Sequence, residues 1–185
     1  MKKSAFSIVA IAAISIILGS CKLIDKLTQF NVDYSTNFTI PATSVLGLPI
    51  PILNIVQPDG VTTNSTQTFT NNNTRSDLLE EVLLKKLVLT ATSPSGQKFD
   101  FLKSADIFIS ADGLPEVKVA SIDNIDDATV GNSIELTPST SDLKEYLKKS
   151  EITIRVAATA DKSTDNSITV KVDAKFFIDA KILGV

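Results

Sequence analysis

Nucleophilic, acid–base and metal chemistry each need particular side chains, and this sequence supplies few of them. Its 185 residues include no histidine, no tryptophan and one cysteine, Cys21. Without imidazole there is no Ser-His-Asp or Cys-His relay and no nitrogen ligand for a transition metal. Paired carboxylates can hydrolyse a glycosidic bond. Sugar sites usually add aromatic platforms, however, and besides phenylalanine the chain offers only Tyr34 and Tyr146. A serine–lysine dyad has one candidate spacing, Ser141 and Lys144 in "SDLK", but Ser141 reads better as a helix cap. Two acidic loops carry the oxygen ligands that calcium takes. "DKSTDN" sets Asp161, Ser163 and Asp165 at alternate positions, and "DNIDD" holds Asp123, Asn124, Asp126 and Asp127. In the first, Asn166 stands where a calcium loop prefers glycine and Val172 where it needs its closing glutamate, so a hairpin turn is the better reading. "DNIDD" is weighed the same way, as a loop. The glycines are few and scattered, without a phosphate-cradling pattern. No catalytic residue, cofactor or metal site is expected.

Cys21 has a setting of its own. Lys2 and Lys3 precede a run from Ala5 to Leu18 that is almost without polarity. That is the charged start and apolar core of a secretory signal peptide. It is short for a membrane span, which takes about 20 residues. Leu18, Gly19, Ser20 and Cys21 then resemble the lipobox of bacterial lipoproteins: an aliphatic residue, two small ones, then cysteine. The resemblance implies that the Cys21 thiol carries a diacylglycerol, that a signal peptidase cuts before it, and that its new amino group is acylated. More than one acyl chain is needed for stable anchoring, at ~0.8 kcal/mol per buried methylene. The alternative is an ordinary signal peptide with an incidental cysteine, or a buried free thiol. In the enterobacterial scheme an aspartate after the cysteine retains a lipoprotein in the inner membrane; Lys22 stands there, which favours the outer membrane. "KLID" lacks the acidic cluster that sends some lipoproteins to the cell surface, so the expected site faces the periplasm.

The expected organisation is a leader over 1–20, a lipidated tether over 21–29 and one domain over 30–185. Of 18 basic and 21 acidic residues only Lys2 and Lys3 lie in the leader, so the mature part holds 16 against 21, a net charge of −5. That argues against a nucleic-acid partner, which demands a basic surface. With no cysteine besides Cys21 there is no disulfide, and the domain must fold on core burial alone.

Strand periodicity dominates that domain. Phe30, Val32, Tyr34, Thr36, Phe38 and Ile40 alternate with polar residues, and Pro41 ends the run. Alternating strands are also expected at "STQTFT", "LVLTATS", "KFDFL", "ADIFISA", "EVKVASI", "SIELTP", "EITIRVAATA" and, most clearly, from Ile168 to Ile182. The last is long enough to need a bend or bulge. "PSGQ" and "NNNT" read as turns and "DNIDDATVGN" as a loop. Two helices are expected: Asp77–Lys86, with Asp77 and Glu80 at capping-box spacing, and "SDLKEYLKKS", with Leu143, Tyr146 and Leu147 on one stripe. Both segments run Ser-Asp-Leu, glutamate, Leu-Lys-Lys and then a strand, over 76–92 and 141–159. This is either an internal repeat or two helices obeying the same end rules. Alternating strands without a βαβ rhythm predict an all-β fold, an antiparallel β-sandwich with two short helices.

The apolar stretch 45–56, "VLGLPIPILNIV", is interrupted by Pro49 and Pro51. Alternating prolines cannot donate to a central ladder, so a loop or an edge strand is expected. Leu48, Ile50 and Ile52 are its candidate contact residues, either closing the edge of the sandwich or meeting a partner, an apolar ligand or the membrane. The leading expectation is a non-catalytic, lipid-anchored envelope protein that binds or scaffolds, with an envelope protein as its possible partner and the membrane reached through Cys21. Its rivals are a module that holds an apolar ligand or lipid inside the sandwich, and a carboxylate hydrolase. An apolar cavity between the sheets separates the first rival, and a cleft with two converging acids the second.

Overall fold

The computed structural model describes residues 28–42, 49–55 (as backbone), 69–72, 74–149 and 152–181. Among the described residues eight strands form: β1 (Gln29–Ile40), β2 (Pro49–Ile55), β3 (Leu79–Ser93), β4 (Leu102–Ala111), β5 (Leu114–Ile122), β6 (Ser133–Pro138), β7 (Thr153–Ala160) and β8 (Ile168–Ala180). The sheet order is β1-β8-β3-β6-β5-β4-β7-β2, and every neighbouring pair is antiparallel. The β5–β6 junction holds by only Ala120↔Pro138 and Ser121↔Thr137. The sheet folds over at this narrow seam, so β1-β8-β3-β6 faces β5-β4-β7-β2 and both halves share one hydrophobic core. The fold is all-β, as the alternation predicts.

β1 carries out its pattern to the letter: its even-numbered residues turn inward and its odd-numbered ones are exposed. It pairs with β8 over twelve residues without a break. β3 differs from expectation. Residues from Asp77 do not continue as a helix; Ser76–Leu78 make one 3-10 turn and the chain then extends as β3. Its register against β8 slips at Leu79/Glu81, Leu84/Lys86 and Ala91/Ser93. Glu80, Lys85 and Thr92 are therefore extra residues, one per bulge. Each bulge stretches the inward spacing from two residues to three. Buried Leu79, Val82, Leu84 and Leu87 thus show a mixed two-and-three spacing that imitates a helical stripe. β8 itself runs unbroken against β1, so the irregularity expected of the long last strand lies on β3 instead.

One further strand expected from the sequence does not form, and another falls mostly outside the described residues. Phe99–Phe101 in "KFDFL" form a turn, closed by Leu102 N–H donating to the Phe99 carbonyl at 2.9 Å. Both phenylalanines plug the core, at 1% and 2% exposure. In "STQTFT", Phe69 opens a helical turn and is itself buried, while 65–68 lie outside the described residues. The second helix forms over Lys144–Leu147 with Leu143 and Tyr146 buried. Its cap is not Ser141. The Asp142 carboxylate accepts from Lys144 N–H at 3.0 Å and also from Val82 N–H of β3 at 3.0 Å. The segments 76–92 and 141–159 therefore fold differently, one as turn and strand, the other as helix and strand.

Candidate functional site

Where the two half-sheets face each other, their inner side chains leave a cleft. On one wall the rows run across three strands: Val32, Phe176 and Leu84; Tyr34, Ala174 and Leu87; Thr36, Val172 and Leu89. The opposite wall brings Ile107 beside Val156 and Ile109 beside Ile154, with Val119 behind. Between the walls lies a cavity of about 80 Å³. Ala174 sits mid-row and has no atom beyond Cβ, so the space between Tyr34 and Leu87 is left hollow. The floor is closed, with Leu87, Leu89 and Val119 at 2–5% exposure. Tyr34 and Phe38 on β1 and Ile154 on β7 are only half-buried.

Chemically the cleft is a place for alkyl groups. Among the described residues of its lining, Tyr34, Thr36 and Asn37, all on β1, are the polar ones and none is charged. Its volume exceeds the roughly 10–15 Å³ that one water needs, so it has room for a small apolar group.

Charge is held outside. On the outer face Arg155 lies over the Phe108 ring at 4.0 Å and forms a fork with the Glu116 carboxylate. The hydrogen bond between them holds the Glu116 pKa below the ordinary carboxylate value and raises that of Arg155. The two acidic loops meet each other: Lys162 Nζ bonds Asp127 at 2.9 Å. That bond lowers the Asp127 pKa and raises that of Lys162, with Asp100 and Asp161 adding to the field at the ammonium. Asp126 instead accepts from Ala128 N–H and Thr129 Oγ1, shaping its own turn. The lysine occupies the electrostatic position a cation would take, and among the described residues no three acids gather as metal ligands.

Leu18, Gly19, Ser20, Cys21 and Leu48 lie outside the described residues. Ile50 and Ile52 fall on β2, the edge-strand form of the two that the prolines allow, with the register slipping between Ile50 and Leu53. Lys144 Nζ is engaged by Asp142 at 3.2 Å and by the Glu80 carbonyl at 2.9 Å, away from any dyad with Ser141. The Tyr146 hydroxyl donates to the Pro115 carbonyl at 2.7 Å, and its ring is core. The cleft residues were visible in the sequence as inward positions; the only signal of a hollow among them is alanine at 174 in a row of larger side chains.

No protein-family model matches the chain, and no curated protein is similar to it. Among solved structures it is similar to Cocksfoot mottle virus, at 9% identity and a TM-score of 0.31 over 83% of this chain and 96% of that one. It is also similar to Desmodium yellow mottle tymovirus, at 9% identity and a TM-score of 0.22 over 84% and 85%. Likeness at that level carries no argument about this chain.

Proposed function

We propose that this chain is a lipid-anchored protein of the bacterial cell envelope whose β-sandwich binds rather than catalyses, taking a slender apolar group such as an acyl chain between its halves. The observation that carries the reading is the cleft: apolar walls, a closed floor and, among the described residues, no charged side chain in its lining. The anchor rests on Leu18-Gly19-Ser20-Cys21 behind an apolar leader, and Lys22 favours an outer-membrane position facing the periplasm. Apolar burial supplies such binding at about 25 cal/mol per Å², and the polar rim on β1 serves the head of the ligand.

Two experiments test the two parts separately. Cell fractionation and intact mass should show wild-type protein acylated and membrane-bound, and Cys21→Ser unacylated. An acylated Cys21→Ser protein overturns the anchor. A fluorescent straight-chain fatty acid should bind the wild type saturably at one site, and Ala174→Phe, which puts a ring into the hollow, should abolish that binding. A wild type that does not bind the probe overturns the cleft reading.

A further inference from the structure

β1 begins at Gln29, eight positions after Cys21. Eight extended residues reach at most roughly 29 Å, so an anchored Cys21 holds the start of β1 close to the membrane. That start lies at one end of the sandwich. There Gln29 pairs with Asp179 of β8, Leu79 of β3 pairs with Ala180, and Lys181 N–H donates to the Leu78 carbonyl at 2.9 Å. The short helix is fixed to the same end, where Lys144 Nζ donates to the Glu80 carbonyl. Between these pieces lies an open concavity of about 340 Å³. Its lining carries the ammonium groups of Lys144, Lys148 and Lys181 and the carboxylates of Asp77 and Glu80. Lys144 is engaged by Asp142 at 3.2 Å, Lys148 by Glu145 at 2.8 Å, and Asp77 by Arg75 at 2.7 Å. Lys181 and Glu80 are only loosely paired, 3.5 Å apart with side chains 69% and 50% exposed. An exposed pair of this kind contributes little, so it opens readily to a ligand that bears both charges. Lys148 keeps donors to spare, because an ammonium has three.

We infer that this end of the sandwich faces the membrane that anchors the chain, and that the concavity takes the headgroup of a phospholipid with an ammonium beside its phosphate, as in phosphatidylethanolamine. The phosphate meets Lys148 and Lys181, and the ammonium meets Glu80. A purely anionic headgroup would set its charge against Glu80 without an ammonium to offset it. The opposite end has the wrong sign for phosphate. It lies roughly 36 Å away along β1, where Ile40 pairs with Ile168 and Lys162 joins the β7–β8 loop to the β5–β6 loop. Those two loops hold Asp123, Asp126, Asp127, Asp161 and Asp165, with Lys162 their one base. The inference rests on the anchor at Cys21 and not on what the cleft binds.

Full-length protein in vesicles tests this, with intact mass first showing its acyl chains. An acylated Cys21 takes no thiol reagent, so one added cysteine carries a fluorophore alone. Asp112→Cys places it in the β4–β5 turn, whose Gly113 lies against Lys149 after the short helix, and Ser163→Cys places it in the β7–β8 loop. In vesicles of equal parts phosphatidylethanolamine and phosphatidylcholine, a lipid with a nitroxide on its headgroup should quench the label of Asp112→Cys and spare that of Ser163→Cys. Lys148→Glu and Lys181→Glu made together should remove most of that quenching, with an unchanged melting temperature showing the domain intact. In phosphatidylcholine alone, whose ammonium has no N–H to give Glu80, the quenching should weaken, and Glu80→Gln should erase the difference between the two vesicles. Four outcomes with acylated protein overturn the inference: equal quenching of the two labels, quenching indifferent to both lysines, quenching indifferent to the lipid mixture, or an Asp112→Cys thiol shielded from a soluble reagent in cell membranes but not in vesicles, the mark of a protein partner. Protein without acyl chains overturns the anchor itself, and this inference with it.

Discussion

The Asp142 carboxylate accepts from the backbone N–H of Lys144, two positions on, and from that of Val82, sixty positions back. It thereby ties the short helix to the start of β3, where the Val82 carbonyl also takes Leu143 N–H at 2.8 Å. Burial pushes its pKa up, but the two N–H groups and the Lys144 ammonium outweigh this and hold it below the ordinary carboxylate value. Losing a cap and a second charged hydrogen bond should cost about 1–3 kcal/mol, so Asp142→Ala should unfold at lower denaturant concentration than wild type. Because the folded pKa is depressed, the stabilisation is fully present above the ordinary value of 3.8. It is lost as pH falls through the folded value. The gap between wild type and Asp142→Asn should therefore narrow on acidification below that point; a gap constant to pH 2 would show that charge is not involved. The sequence announced a helix start at Ser-Asp-Leu but not which side chain caps it, because the deciding partner, Val82, is remote. At the acidic loops the same holds for Lys162, whose reach to Asp127 no local pattern shows. Chelator should leave the melting temperature of wild type unchanged, since this ammonium already pairs with Asp127 between the loops.

At the scale of elements, β1 and β8 were legible because an unbroken alternation has one reading. β3 was not, because bulges insert a third residue into a period of two, and two spacings mixed look like 3.6. The placement of the bulges makes a sharp prediction. Deleting Lys85 removes one extra residue and leaves Leu84 inward, Lys86 outward and Leu87 inward, so the pattern closes up. The protein should remain folded and lose about 1–2 kcal/mol, part of it the contact of Lys85 Nζ with the Phe177 ring at 5.1 Å. Deleting Val88, three residues on, turns Leu89 and Ala91 outward, since a one-residue slip reverses the faces. That should cost at least about 3 kcal/mol, given 1.5–3 kcal/mol for one large aliphatic side chain. Denaturant midpoints of the two deletions compare them directly, and equal losses would refute the bulge assignment. β2 shows the opposite case: its prolines restricted it to an edge or a loop before any partner was known.

For the whole molecule, periodicity told which face of each strand turns inward but not which strands adjoin. The last strand lies between the first and the third, an order set by long-range pairing that no window of sequence contains. The cleft belongs to this level, because it exists only where β1, β8 and β3 meet β4, β5 and β7. Ala174 connects it to stability. A leucine there adds methyl groups to an apolar hollow of about 80 Å³, and cavity filling of this kind commonly raises stability by about 0.5–2 kcal/mol. In a domain of this size that is about 2–4 °C per kcal/mol. If the hollow receives an acyl chain, ligand and leucine compete for one space. Without fatty acid, Ala174→Leu should melt above wild type. With fatty acid at a hundred times its dissociation constant, wild type should gain about 2.7 kcal/mol by mass action and overtake the variant, which should not respond. Two melting curves for each protein decide it: if the ligand raises both melting temperatures equally, it binds elsewhere, and if Ala174→Leu melts lower without ligand, the space is too tight to be a site.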